Sequence, residues 1–149
     1  MASSLHNRKY RKAQGLIAAN KIKPEIWRLN TFDIIRALNA NGYKAEKLKK
    51  VRYLKHQICI SYWDDQGGVC SGFFSYRILD RWQYAVQKLV HDCGSLYEIH
   101  CLTEFIEYEF AHYPYPAKIQ SAINDTIVAF TTKFAESGSY KRTGHLIAS

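Results

Sequence analysis

Two β-rich runs flank a short turn in the middle of the chain, and this pairing restricts the fold more than any other feature. Gln57-Ile58-Cys59-Ile60-Ser61-Tyr62-Trp63 and Val69-Cys70-Ser71-Gly72-Phe73-Phe74-Ser75-Tyr76 are rich in β-branched and aromatic residues, which suit a pleated surface. Between them, Asp64-Asp65-Gln66-Gly67-Gly68 has turn chemistry: aspartate bonds nearby amides and glycine takes up positive φ. The segment predicts a β-hairpin.

The remaining periodic segments read as helices. Phe32, Ile35 and Leu38 recur at helical spacing, Asn30 or Thr31 can cap the start, and Asn41-Gly42 can end the helix. A second helix is expected from Lys44 to Lys55, with Ala45, Leu48, Val51 and Leu54 inward and its other faces basic. Three more follow the hairpin. Asp80 and Gln83 have the spacing of a capping box, ahead of a stripe of Trp82, Ala85, Val86, Leu89 and Val90. Leu96, Ile99, Leu102, Phe105, Ile106 and Phe110 form the next stripe, with Glu98, Glu104, Glu107 and Glu109 as its polar surface. Pro116 opens a last helix through Ile119, Ile123, Ile127, Phe130 and Phe134, expected to end near Gly138 before a mobile tail at 139–149. The fold class expected is α+β, mostly helical with one central hairpin. Residues 1–78 form its basic part and 79–138 its helical packing part.

Helix, sharp turn, basic helix and hairpin is an order that resembles the C-terminal part of a winged helix-turn-helix. That likeness implies a recognition helix at 44–55 and a wing tip at 64–68. The two aspartates at the tip oppose it, since phosphates repel them. The alternative is an irregular α+β domain with the hairpin in its core.

Charge is distributed unevenly along the 149 residues. Residues 1–55 carry fourteen Lys and Arg against three acids, a net +11, whereas the other 94 carry seven bases and ten acids, a net −3. A field this concentrated suits phosphates, whose neutralisation releases counterions. The expected contacts are Lys44, Lys47, Lys50, Arg52 and Lys55, with Arg8, Lys9, Arg11 and Lys12 as an N-terminal arm. Tyr10, Tyr43 and Tyr53 lie among these bases and suit stacking on unpaired bases. Tyr97, Tyr108, Tyr113 and Tyr115 suit a protein interface instead.

Other chemistry is sparser. Tyr62-Trp63-Asp64-Asp65 resembles the active-site hairpin of reverse transcriptases, where paired carboxylates hold divalent metals. The likeness covers four residues, with no upstream strand to supply a further carboxylate, so turn acidity accounts better for the aspartates. His91, Cys93, His100 and Cys101 lack the ligand spacing of zinc fingers or ribbons. His100, Glu104 and Glu107 share a helix face, as any polar helix face does. The four cysteines (59, 70, 93 and 101) read as mostly buried thiols.

No apolar run approaches a membrane span, and the first residues have no secretory pattern, so a cytoplasmic location is expected. These features predict a non-catalytic nucleic-acid-binding protein without a cofactor, either a DNA-binding regulator or a subunit of a nucleoprotein assembly. Its C-terminal helices are expected to support homodimer or larger association. The alternatives are a small metal-dependent nuclease, or an adaptor for an acidic protein partner.

Overall fold

A computed structural model describes residues 14–148, with side chains as far as Ser137. The elements run α1 (Thr31–Ala40), β1 (Ala45–Tyr53), β2 (Gln57–Asp64), β3 (Val69–Ser75), α2 (Asp80–His91), α3 (Leu96–His112) and α4 (Ala117–Ala148). Short 3₁₀ turns at Pro24–Ile26 and Tyr76–Ile78 precede α1 and α2. The described residues are therefore α+β, with four helices and one antiparallel sheet in the order β1-β2-β3. Among them, no helix is long and apolar enough to cross a membrane.

Ahead of the first helix, Leu16–Asn20 form turns. Helix α1 begins and ends as its sequence predicts. The Asn30 side chain accepts the Phe32 amide at 2.7 Å, which satisfies one of the orphan donors of the first turn. At the other end Gly42 takes a φ of +92°, and the Gly42 and Tyr43 amides reach back to the Asn39 and Leu38 carbonyls. That is the αL termination for which glycine is favoured. The Asn39 side chain then pairs with both backbone groups of Ala45, at 2.8 and 3.1 Å, and so fixes where β1 begins.

Residues 45–53 form a strand and not the expected basic helix, so the helix-turn-helix pair lacks its second helix at the place the winged arrangement requires. The error has a specific cause. Two register irregularities, between Ala45 and Lys47 and between Leu48 and Lys50, each insert one extra residue opposite β2. A strand normally alternates with period two, but each bulge adds one residue to the repeat. Ala45, Leu48 and Val51 thus reach the core face at a spacing of three, which imitates a helix. Beyond the second bulge the strand alternates normally, with Val51 and Tyr53 inward and Arg52 outward.

The hairpin forms where predicted, its strands paired from Gln57 with Ser75 to Trp63 with Val69. Ile58, Ile60, Tyr62 and Phe74 point inward and belong to one buried cluster, together with Leu16, Ile34, Leu38, Trp82, Val86, Ile106 and Ile123. That cluster draws on residues from both parts into which the sequence was divided. The Tyr76 hydroxyl, also fully buried, donates to the Leu54 carbonyl at 2.6 Å.

Burial, with Glu25 and Tyr53 nearby, pushes the Tyr76 hydroxyl up to about 12. Below pH 10, the ordinary tyrosine value, the group is neutral in both folded and unfolded chains. Between pH 10 and about 12 the unfolded chain ionises first, so stability falls as pH rises through that window. Urea midpoints at pH 9 and pH 11 test this. Tyr76→Phe is expected to show a smaller alkaline decline than wild type, and an equal decline would refute the assignment.

The three C-terminal helices lie where expected, with three corrections. Leu79, not Asp80, is the N-cap of α2, without a side-chain cap bond. Asp80 instead accepts from Arg36 at 3.0 Å, tying α2 to α1. Helix α4 continues past Gly138 to Ala148. Glu109, assigned to the polar surface of α3, is fully buried.

Glu109 is the centre of a polar knot beneath the core. Its carboxylate accepts the Arg77 guanidinium at 2.5 and 2.8 Å, the Tyr115 hydroxyl at 2.5 Å and the Leu16 amide at 2.8 Å. Tyr115 in turn accepts the Trp82 indole N–H at 3.0 Å. Burial alone would lower the Arg77 pKa, but Glu109 more than reverses this and keeps the guanidinium charged. Burial, and then Glu109, raise the Tyr115 hydroxyl, so it stays a donor. The knot joins the N-terminal segment, the end of the sheet and helices α2 and α3.

Candidate nucleic-acid interface

The bulges that put Ala45 and Leu48 into the core also decide where the bases go. Lys47, Lys50 and Arg52 pair with Trp63, Ser61 and Cys59, which are the β2 residues facing away from Ile58, Ile60 and Tyr62. On β3 the outward partners are Val69, Ser71 and Phe73. Lys49, at the second bulge, also lies on this side, its ammonium 5.5 Å from the centre of the Trp63 ring.

The outward face is therefore a grid of three rows: Lys47–Trp63–Val69, Lys50–Ser61–Ser71 and Arg52–Cys59–Phe73. Successive rows lie about 7 Å apart, two residues along a strand. The β1 edge of the grid is cationic, whereas β2 and the β3 edge carry Trp63, Phe73 and two serine hydroxyls. Trp63 is 37% and Phe73 64% exposed, while the Ser61 and Ser71 hydroxyls bond each other at 2.8 Å between them.

The other expected contacts sit at the margins. Lys55 is exposed in the β1–β2 turn, beside the Arg52 row. Lys44 precedes β1 and its ammonium lies 3.9 Å from the Asp65 carboxylate, which offsets its charge. Arg8, Lys9, Arg11 and Lys12, and Tyr10 among them, lie outside the described residues. Acidic groups near the face are Glu46 at the first bulge and Asp64 and Asp65 at the β2–β3 turn. All three gather at one end, so positive charge dominates at the other.

Asp64 has a structural task. Its carboxylate accepts the Gly68 amide at 2.8 Å and the Gln66 amide at 2.9 Å, closing the turn in which Gly67 has a φ of +79°. The Gly68 amide, then the Gln66 amide, hold this carboxyl below the usual carboxylate range. Among the described residues, no group of three or more His, Cys, Asp or Glu is placed to hold a metal ion. His91 packs against Phe130 with ring centres 4.5 Å apart, and the Cys93 thiol donates to the Leu89 carbonyl at 3.4 Å. All four cysteines are free and only half-buried, less enclosed than expected.

The tyrosines divide differently from the sequence reading. Tyr53 faces inward and its hydroxyl accepts the Leu29 amide at 2.9 Å, so it offers no stacking surface. Tyr43 is exposed, but its ring meets Phe74 edge-on at 5.0 Å. Tyr115 is committed to the knot, and Tyr113 stacks on Arg77 at 3.7 Å, so neither is spare for an interface. Sequence reasoning missed Lys49, Trp63 and Phe73 as surface partners, although Phe73 and Phe74, as neighbours on one strand, must face opposite sides. Phe74 is indeed the buried one, and strict alternation from Cys70 through Gly72 to Phe74 carried that signal.

No protein-family model, curated protein or solved structure matches the chain.

Proposed function

We propose that this protein binds nucleic acid without catalysis, holding the phosphate backbone on the outward face of its three-stranded sheet. The observation that carries this reading is the alignment of Lys47, Lys49, Lys50 and Arg52 along one exposed edge of that face, none of them in an ion pair within 4 Å of a described carboxylate. Four cations on neighbouring outward positions repel one another, and an anionic polymer lying along the edge relieves that repulsion. The strand fixes their backbone positions, so binding has only their side chains left to order. The basic arm at residues 8–12 would extend the same contact.

The test is binding of labelled duplex DNA, single-stranded DNA and structured RNA at two salt concentrations, followed by anisotropy. Wild type is expected to bind with a steep salt dependence. In a Lys47/Lys49/Lys50/Arg52→Ala variant, the slope of log affinity against log salt should flatten by roughly three, at about 0.7–0.9 per lost phosphate contact. Salt-insensitive binding, or none, would overturn the proposal and make an acidic protein the better partner for the face.

A further inference from the structure

The same face carries more than charge, and we infer that its ligand is an unpaired strand whose bases stack on Trp63 and Phe73. This rests on the nucleic-acid reading above and specifies which nucleic acid the face takes.

Phosphate contacts need only cations, yet the grid exposes two large aromatic rings that could have been buried or replaced at no cost to charge. Phe73 is among the more exposed aromatic residues, although its neighbour Phe74 packs in the core. Both rings stand on a hydrogen-bonded sheet, where the register fixes their positions. A paired duplex hides its base faces inside the stack, so rings on a sheet surface gain nothing from them. An unpaired strand offers those faces, and every base has one. The Lys49 ammonium lies over the Trp63 ring, 5.5 Å from its centre, so a base stacking on that face must displace it, and the freed cation is then in reach of the adjoining phosphate.

The geometry sets the spacing of the contacts. Trp63 and Phe73 lie two rows apart, about 13 Å along the sheet and one strand across. Stacked rings lie only about 4.5–7 Å apart. Bases on Trp63 and Phe73 therefore cannot be stacked on each other, and at least one nucleotide crosses the Ser61–Ser71 row between them. The two hydroxyls offer that nucleotide hydrogen-bonding groups. The smallest ligand to use both rings is three nucleotides long.

Binding of single-stranded DNA, single-stranded RNA and duplex DNA to wild type, Trp63→Ala, Phe73→Ala and Trp63→Tyr tests this. Each alanine variant is expected to weaken single-strand binding by roughly 5- to 150-fold and leave duplex binding unchanged. Trp63→Tyr should restore most of the loss, because a tyrosine ring still stacks. Phe73 is 64% exposed, so Phe73→Ala should leave thermal unfolding little altered; Trp63 is 37% exposed, so Trp63→Ala gives up some packing, and its unchanged duplex binding is what separates lost stacking from lost folding. If the alanine variants bind single strands like wild type while the four-cation variant loses affinity, the stacking inference falls and the phosphate reading stands. Equal losses for duplex and single strand in the alanine variants would also overturn it. If no nucleic acid binds wild type, both readings fall together.

Discussion

Glu109→Ala is expected to destabilise the protein by about 3–5 kcal/mol, the usual cost of leaving one partner of a buried ion pair uncompensated. Total stability for a domain is about 5–15 kcal/mol, so much of the population would unfold under mild denaturant. The size of the effect follows from how completely the carboxylate is used. An ionised carboxylate has about four lone-pair sites. Here two are taken by Arg77, one by Tyr115 and one by the Leu16 amide. Arg77→Ala is expected to cost a similar amount by stranding the carboxylate. Replacing both partners of a buried pair with apolar residues is often neutral. In this knot Arg77→Met combined with Glu109→Leu should fail to rescue, because the Leu16 amide and Tyr115 hydroxyl would still be orphaned, at about 1–3 kcal/mol each. Urea unfolding of the two single variants and the double variant decides the matter. Recovery of the double variant to wild-type stability would show that the knot only fills space. Gly15→Ala probes the same place from the backbone, since a Cβ there would sit 2.7 Å from Glu109 Oε2 and force the carboxylate to move.

Trp82→Ala should be about as damaging, at about 3–5 kcal/mol for truncation of a large buried aromatic. Its ring is fully buried, lies 6.4 Å from the Trp27 ring and has the Arg77 guanidinium 4.7 Å from its centre. Its N–H supplies the hydrogen bond that holds the Tyr115 hydroxyl toward Glu109. Trp82→Phe separates these contributions. It keeps most of the apolar volume and loses the N–H donor, so about 0.5–1.5 kcal/mol is expected from the hydrogen bond, with a further loss for the smaller ring. Residues in one network are not additive, so Trp82→Phe with Tyr115→Phe should cost less than the sum of the single changes. Strict additivity in denaturant unfolding would show that the indole and the phenol act independently.

Both predictions concern residues to which the sequence assigned no joint role. Glu109 follows Ile106 by three and Leu102 by seven, so unlike the other three glutamates it continues the apolar stripe, but periodicity does not say what would neutralise a carboxylate there. Its burial depends on Arg77 and Tyr115 arriving from other segments, 32 and 6 positions away. The candidate site was legible in part. Lys47, Lys50 and Arg52 were singled out from charge density alone, and they do lie together on an exposed face. Their arrangement was misread, because a strand with two bulges places Ala45, Leu48 and Val51 inward at the spacing of a helix. Trp63 and Phe73 were legible as strand residues, but which face they occupy follows from the register of the whole sheet.

What the sequence determined by itself is local: the hairpin at 57–75, the cap and αL end of α1, the apolar stripes of the last three helices, and the concentration of charge in the first 55 residues. These rest on interactions between residues a few positions apart, which propensity and periodicity encode. The tertiary structure alone decided that residues 45–53 are a third strand, that Glu109 is a buried anion and that four cations share a surface with two aromatic rings. Each depends on contacts between distant segments. Ala, Glu, Lys and Leu favour a helix, and the β2 edge, with its unpaired hydrogen-bonding groups, overrode that local preference and made the run a strand.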